Sequence, residues 1–125
     1  MFDWFEQLVG RAKRKLKSIL EGGTKSVQPP IHFTTVLITE TPPPIDAING
    51  DSVYVVAKNS IGKWAMFQCP CGCGEVITLS LQPAHKTRWA LEINPSGRAN
   101  FHPSVWRNIG CKSHFWLKDG RVYWA

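Results

Sequence analysis

The chain holds four cysteines, Cys69, Cys71, Cys73 and Cys111, and three of them fall within Cys69-Pro70-Cys71-Gly72-Cys73-Gly74. Alternate residues of an extended strand point to opposite faces, so the proline and glycines must curl the backbone if the sulfurs are to converge. Thiolates this dense suit a metal turn better than a disulfide framework. Zinc is the expected ion, because it is tetrahedral and satisfied by four sulfurs or by three sulfurs and one imidazole. Cys111 opens a second segment, Cys111-Lys112-Ser113-His114. His114 therefore has two readings: a fourth zinc ligand that leaves one cysteine out, or a general base if four cysteines fill the shell. Free or disulfide-linked cysteines are the plain alternative to a metal.

The hydroxyls and imidazoles are the other chemically able groups. Ser104 follows Pro103 and is preceded by His102, in a loop-like stretch that could present its hydroxyl. A nucleophilic serine needs a base within hydrogen-bond reach and donors for an oxyanion. His114 or His102 could be that base, but serine after proline is also ordinary turn chemistry. Ser113 directly precedes His114, and strand neighbours point to opposite faces, so its hydroxyl does not easily reach that imidazole. His32 and His85 stand in no pattern. Asp119 is explained by its turn and Glu75 by an exposed place beside the cysteines, so an orienting carboxylate is not evident and a Ser–His dyad is the arrangement to expect. A zinc hydrolase of the deaminase kind lacks its H-x-E element, and four cysteines would close the shell to water.

The elements that must position these groups belong to one modest domain. The 125 residues are 43% hydrophobic and 19% charged, which is globular, and six tryptophans with six phenylalanines supply much of the area to bury. The formal charge of +6 favours an acidic partner without choosing one. No apolar run reaches the length of a membrane span, and the opening residues do not read as a signal peptide. Reduced thiols without an export signal indicate the cytoplasm.

Residues 2–20 repeat apolar side chains at helical spacing, with Phe2, Phe5, Leu8, Val9, Ala12, Leu16, Ile19 and Leu20 on one arc, and Gly22-Gly23 stops the pattern. An amphipathic helix over 1–23 is expected. It would cover the domain's own core, mediate self-association, or lie on an anionic membrane surface. Residues 24–51 read as a linker and first strand, with Ile31–Thr39 strand-like before Pro42-Pro43-Pro44. Strands are expected over Ser52–Lys58, Lys63–Gln68, Glu75–Leu81, Arg88–Ile93, Val105–Ile109, Phe115–Leu117 and Arg121–Trp124, with turns at Asn59–Gly62 and Lys118–Gly120. The expected fold class is α+β, mostly β: one N-terminal helix followed by a small zinc-stapled antiparallel β domain over 52–125.

Taken together, Cys-Pro-Cys-Gly-Cys-Gly, the Trp89 strand, Pro103-Ser104, Cys111-x-Ser113-His114-Phe115-Trp116 and the closing glycine hairpin resemble a family. The chain is similar to the small cysteine-containing bacterial proteins found beside ubiquitin-like conjugation genes, the BubE-type family, over residues 64–125. The resemblance does not reach the N-terminal helix. It implies a serine-type peptidase acting on ubiquitin-like protein tails or conjugates. By matching position it implies Ser104 and His114 as catalytic residues and Cys69, Cys71, Cys73 and Cys111 as a structural Zn2+ site. His102, Ser113 and Arg107 are then the candidate substrate-binding or orienting residues, and His102 departs from the family pattern. The competing class is a non-catalytic, zinc-stabilised binding module for a protein partner or nucleic acid, with Arg88, Arg98, Arg107, Lys112 and Arg121 lining a face beside Trp106 and Trp116.

Overall fold

A computed structural model describes residues 28–125. Nine strands follow one another: β1 (Thr35–Thr39), β2 (Ser52–Lys58), β3 (Ile61–Gln68), β4 (Val76–Ser80), β5 (Ala90–Ile93), β6 (Ala99–His102), β7 (Val105–Trp106), β8 (His114–Lys118) and β9 (Arg121–Trp124). One 3-10 turn, Ile45–Ala47, is the sole helical element among the described residues. The expected α+β class is therefore corrected to all-β for this region, and the helix expected over 1–23 lies outside the described residues. Among these residues no helix is long and apolar enough to cross a membrane.

The strands form three sheets, ordered β1-β2-β3-β4, β5-β6 and β7-β8-β9. Within residues 52–125 every strand pairing is antiparallel, as expected, while β1, before that span, runs parallel to β2 with Val36 opposite Val53. The β2–β3 hairpin turns on two residues, Asn59 and Ser60, both at positive φ. That is the primed turn whose twist matches the flanking strands, so Ile61 and Gly62 already belong to β3 and not to the turn.

The sheets close on one core because each strand turns its apolar alternate residues inward. Val53 and Val55 of β2, Ala65 and Phe67 of β3, Ile77 and Leu79 of β4, Phe101 of β6, Val105 of β7 and Phe115 and Leu117 of β8 all belong to it. Phe67 sits at its centre, ring to ring with Phe33, Phe101 and Phe115. Two expected strands are shorter than their composition suggested. Val105–Ile109 stops at Trp106, because the chain must leave the strand to carry Cys111 back toward Cys69. Arg88–Ile93 begins at Ala90, since Trp89 is held by a separate bond from its N–H to the Ser80 carbonyl at 2.8 Å.

Candidate active site and metal centre

The three clustered cysteines occupy the connection between β3 and β4. Gln68 pairs with Val76, the Cys69 N–H donates to the Glu75 carbonyl at 2.8 Å, and the Gly72 N–H donates to the Cys69 carbonyl at 3.2 Å. The turn is thus closed on itself, with Gly72 and Gly74 at φ of 90° and 83°. Cys111 arrives from the β7–β8 connection. The four sulfurs lie within 4.8 Å of one another, with Cys69 Sγ at 3.3 Å from Cys71 and 3.6 Å from Cys111. Tetrahedral coordination at a Zn–S distance of about 2.3 Å needs sulfurs about 3.8 Å apart. The donor set therefore fits a tetrahedral thiophilic ion, and none of the four forms a disulfide.

The surroundings favour the anionic form at Cys71 and Cys111, while burial opposes it at Cys69. Arg107 points Nη1 at Cys111 Sγ, 3.4 Å away, and at Cys73 Sγ, 3.8 Å away, while its Nη2 is ion-paired with Glu75. That carboxylate makes the guanidinium hold its proton more firmly still. Ser113 Oγ lies 3.2 Å from Cys111 Sγ and 3.8 Å from Cys69 Sγ. Burial pushes the Cys69 thiol up to about 11, whereas the Ser113 hydroxyl brings Cys111 down to about 6 and lowers Cys71 as well. Outer partners of this kind orient ligands and tune the bound ion.

Ser104 and His114 are brought together by register. In the β7–β8 ladder Val105 faces Phe115 and Trp106 faces His114. Successive side chains alternate, so Val105 and Phe115 turn into the core while Ser104, Trp106, His114 and Trp116 share the outer face. Ser104 and His114 are diagonal neighbours there, with Ser104 Oγ 2.9 Å from His114 Nε2. The His114 ring lies against Trp106, centroids 5.6 Å apart and planes 27° from parallel. Its carbonyl accepts the Ala125 N–H at 2.9 Å, so the edge of β9 also fixes it. Both Ser104 and His114 are half-buried.

The remaining candidates separate cleanly. His114 is not part of the sulfur group. Ser113 faces the sulfurs, on the opposite side from His114 as strand alternation requires. His102 is exposed, with its ring 6.1 Å from Trp116, and no hydrogen bond ties it to Ser104 or His114 among the described residues. Arg107 belongs to the sulfur cluster. Asp119 accepts from Asn94 Nδ2, from Arg98 Nε at 2.8 Å and from Arg121 Nε at 3.3 Å. Both Asp119 and Glu75 are thus committed elsewhere, and among the described residues the Ser104–His114 pair has no carboxylate partner. Of the cations considered for a nucleic-acid face, Arg98, Arg107 and Arg121 are ion-paired.

Two features have no signal in the sequence. Trp89 donates its indole N–H to the Ser104 carbonyl at 3.2 Å, a contact across fifteen residues that periodicity cannot reveal. His85 Nδ1 lies 2.6 Å from Ser80 Oγ, which also accepts the Gln82 N–H at 3.2 Å. Ser80 is buried, so this second serine–histidine pair fastens the β4–β5 connection onto the sheet.

A family model described as bacterial ubiquitination-like system serine protease (BubE) matches residues 38–125, a span that contains the cysteine cluster and the Ser104–His114 pair. No curated protein and no solved structure matches the chain.

Proposed function

The chain belongs to the BubE family of bacterial ubiquitination-like system serine proteases, and from that premise we propose that it is a peptidase that uses Ser104 as nucleophile and His114 as general base. Its substrate is the tail of a ubiquitin-like protein or a conjugate made through that tail. The observation that carries this reading is the 2.9 Å approach of Ser104 Oγ to His114 Nε2 within the family-matched segment. The serine hydroxyl donates to Nε2. As Oγ bonds to the scissile carbonyl carbon, its proton passes to the ring. Collapse of the tetrahedral intermediate breaks the C–N bond, and the imidazolium returns the proton to the departing amine. Water, deprotonated by the same ring, then hydrolyses the acyl-serine ester. Trp106, stacked on the imidazole, limits the ring's rotation and supports the imidazolium through its π face.

Cys69, Cys71, Cys73 and Cys111 would hold zinc with a closed shell, supplying structure and no open coordination position. Such an ion would staple the β3–β4 turn to the segment leading into His114. The chain's own residues then do the chemistry, and Arg107 offsets the charge of the thiolates.

Cleavage of a ubiquitin-like protein bearing a C-terminal extension tests the reading. Ser104→Ala and His114→Ala should each lower kcat by roughly a thousandfold or more, and the double variant should be little worse, because the two act as a unit. Ser113→Ala should stay active once saturated with metal. Activity surviving Ser104→Ala refutes the serine mechanism, and activity lost on metal withdrawal from a folded protein favours a metal-dependent one.

A further inference from the structure

Among the described residues, the edge of β7 that faces away from β8 pairs with no other strand. In this antiparallel ladder the Arg107 N–H donates to the Ser113 carbonyl at 2.8 Å, which makes 107 and 113 a hydrogen-bonded pair. Such pairs alternate with non-bonded ones. Val105 and Phe115 are bonded in turn, so Trp106 directs its N–H and C=O outward, and continuing the same alternation to Ser104, just before β7, points its groups outward as well. One of these four groups is used, since the Ser104 carbonyl accepts from Trp89 Nε1. The Ser104 N–H and both main-chain groups of Trp106 have no protein partner among the described residues. Trp106 is 68% exposed. Proteins usually blunt a bare edge with charge, proline or a bulge; here Pro103 and Arg107 flank it, and among the described residues only the Trp89 indole, on the Ser104 carbonyl, occupies it.

We propose that this edge binds the substrate as an added antiparallel strand: Trp106 N–H and C=O pair with the residue two before the scissile one, and the Ser104 N–H faces the scissile carbonyl. The inference rests on Ser104 being the nucleophile. Antiparallel pairing reverses the chain direction, so the substrate residue opposite Ser104 lies two positions C-terminal to the one opposite Trp106. Its carbonyl then meets the N–H of the attacking serine itself, a main-chain donor for the developing oxyanion. Strand addition draws affinity from main-chain bonds. It admits only an extended segment free of its own fold, which selects a flexible tail over a folded loop. The intervening substrate residue turns its N–H away from β7, and that alternation makes the mode testable.

The experiment uses the metal-loaded full chain and semisynthetic ubiquitin-like fusions carrying one N-methyl group. Methylation two residues before the scissile one should raise KM about tenfold, the loss expected from one or two hydrogen bonds. Methylation at the residue immediately before the scissile one should leave KM nearly unchanged. On the enzyme side, Trp106→Pro removes an outward N–H from an edge strand, where proline is tolerated. It should raise KM about tenfold beyond Trp106→Ala, which keeps that N–H. Equal effects of the two methylations, or equal KM for the two variants, overturn strand addition while leaving the peptidase intact. An unmodified fusion that is not cleaved at all overturns the peptidase reading and this inference with it.

Discussion

Replacing Gly120 by alanine should destabilise the domain far more than the loss of one glycine suggests. Gly120 sits at φ +68° in the β8–β9 turn, a region that costs an L residue about 1–2 kcal/mol. A Cβ there would run into the Phe33 carbonyl, which is backbone and cannot swing aside, and would lie 3.1 Å from Arg98 Cδ. Relieving the clash must move the segment before β1 that carries Phe33, a fully buried core ring. It also disturbs the bonds from the His32 and Phe33 N–H groups to the Gly120 carbonyl, both 2.9 Å, and from the Gly120 N–H to Ala99. Weakening even two of these adds about 1–3 kcal/mol, for a total of about 2–5 kcal/mol. Gly97 is the control. It lies at φ +80° with nothing within 4 Å of where a Cβ would stand, so Gly97→Ala meets the backbone penalty alone, about 1 kcal/mol. At about 4 °C per kcal/mol for a chain of this size, melting followed by near-ultraviolet circular dichroism should fall about 4 °C for Gly97→Ala and about 8–20 °C for Gly120→Ala. Equal shifts for the two variants would refute the steric argument.

Elemental analysis should find one zinc per chain, and a strong chelator should lower stability by at least about 3 kcal/mol in a denaturant titration, since the ion binds the folded state; a stable metal-free protein contradicts the site. Trp89→Phe keeps an aromatic ring but removes the donor to the Ser104 carbonyl, so kcat should drop about threefold to tenfold with KM little changed; an unchanged kcat would mean that this bond does not position the nucleophile. Burial pushes the Asp119 carboxyl up, but the hydrogen bonds from Arg98, Asn94 and Arg121 outweigh it and hold the group below its ordinary value of 3.8. The stability this group contributes is therefore fully present above that unfolded value and is lost as pH falls below it toward the lower folded value. Asp119→Asn should flatten that part of the acid-side decline in urea midpoints, and an unaltered pH profile would contradict the ion pairing.

What the sequence announced was local. Three cysteines in one turn with glycine and proline between them implied a convergent sulfur set, and Asp119-Gly120 implied a hairpin, because both depend on neighbours along the chain. The sequence also separated Ser113 from His114, since strand alternation alone decides it. Pairings between distant segments left no such mark. β1 joins β2 in parallel through register that no periodicity encodes, and β7 is cut to two residues by the tertiary need to deliver Cys111 to the cluster. Trp89 reads as one apolar position on a strand, yet its indole N–H holds Ser104 through a contact that only the assembled sheets create. The α+β expectation came from helical spacing over residues 2–20, while every regular strand of residues 28–125 builds an all-β domain. His102, beside Ser104 in the chain, lies near Trp116 and makes no hydrogen bond to Ser104 or His114 among the described residues, which only the assembled sheets could show.

Labelling with a fluorophosphonate probe tests the central claim most directly, because only an activated serine displaces fluoride to form the phosphonylated enzyme. Intact-mass and peptide mass spectrometry should find a single adduct on Ser104. Labelling should be absent in Ser104→Ala and slowed at least about a hundredfold in His114→Ala, the usual contribution of a general base, with metal content unchanged in both. An adduct on another serine, or a His114→Ala protein labelled as fast as the wild type, would contradict the account.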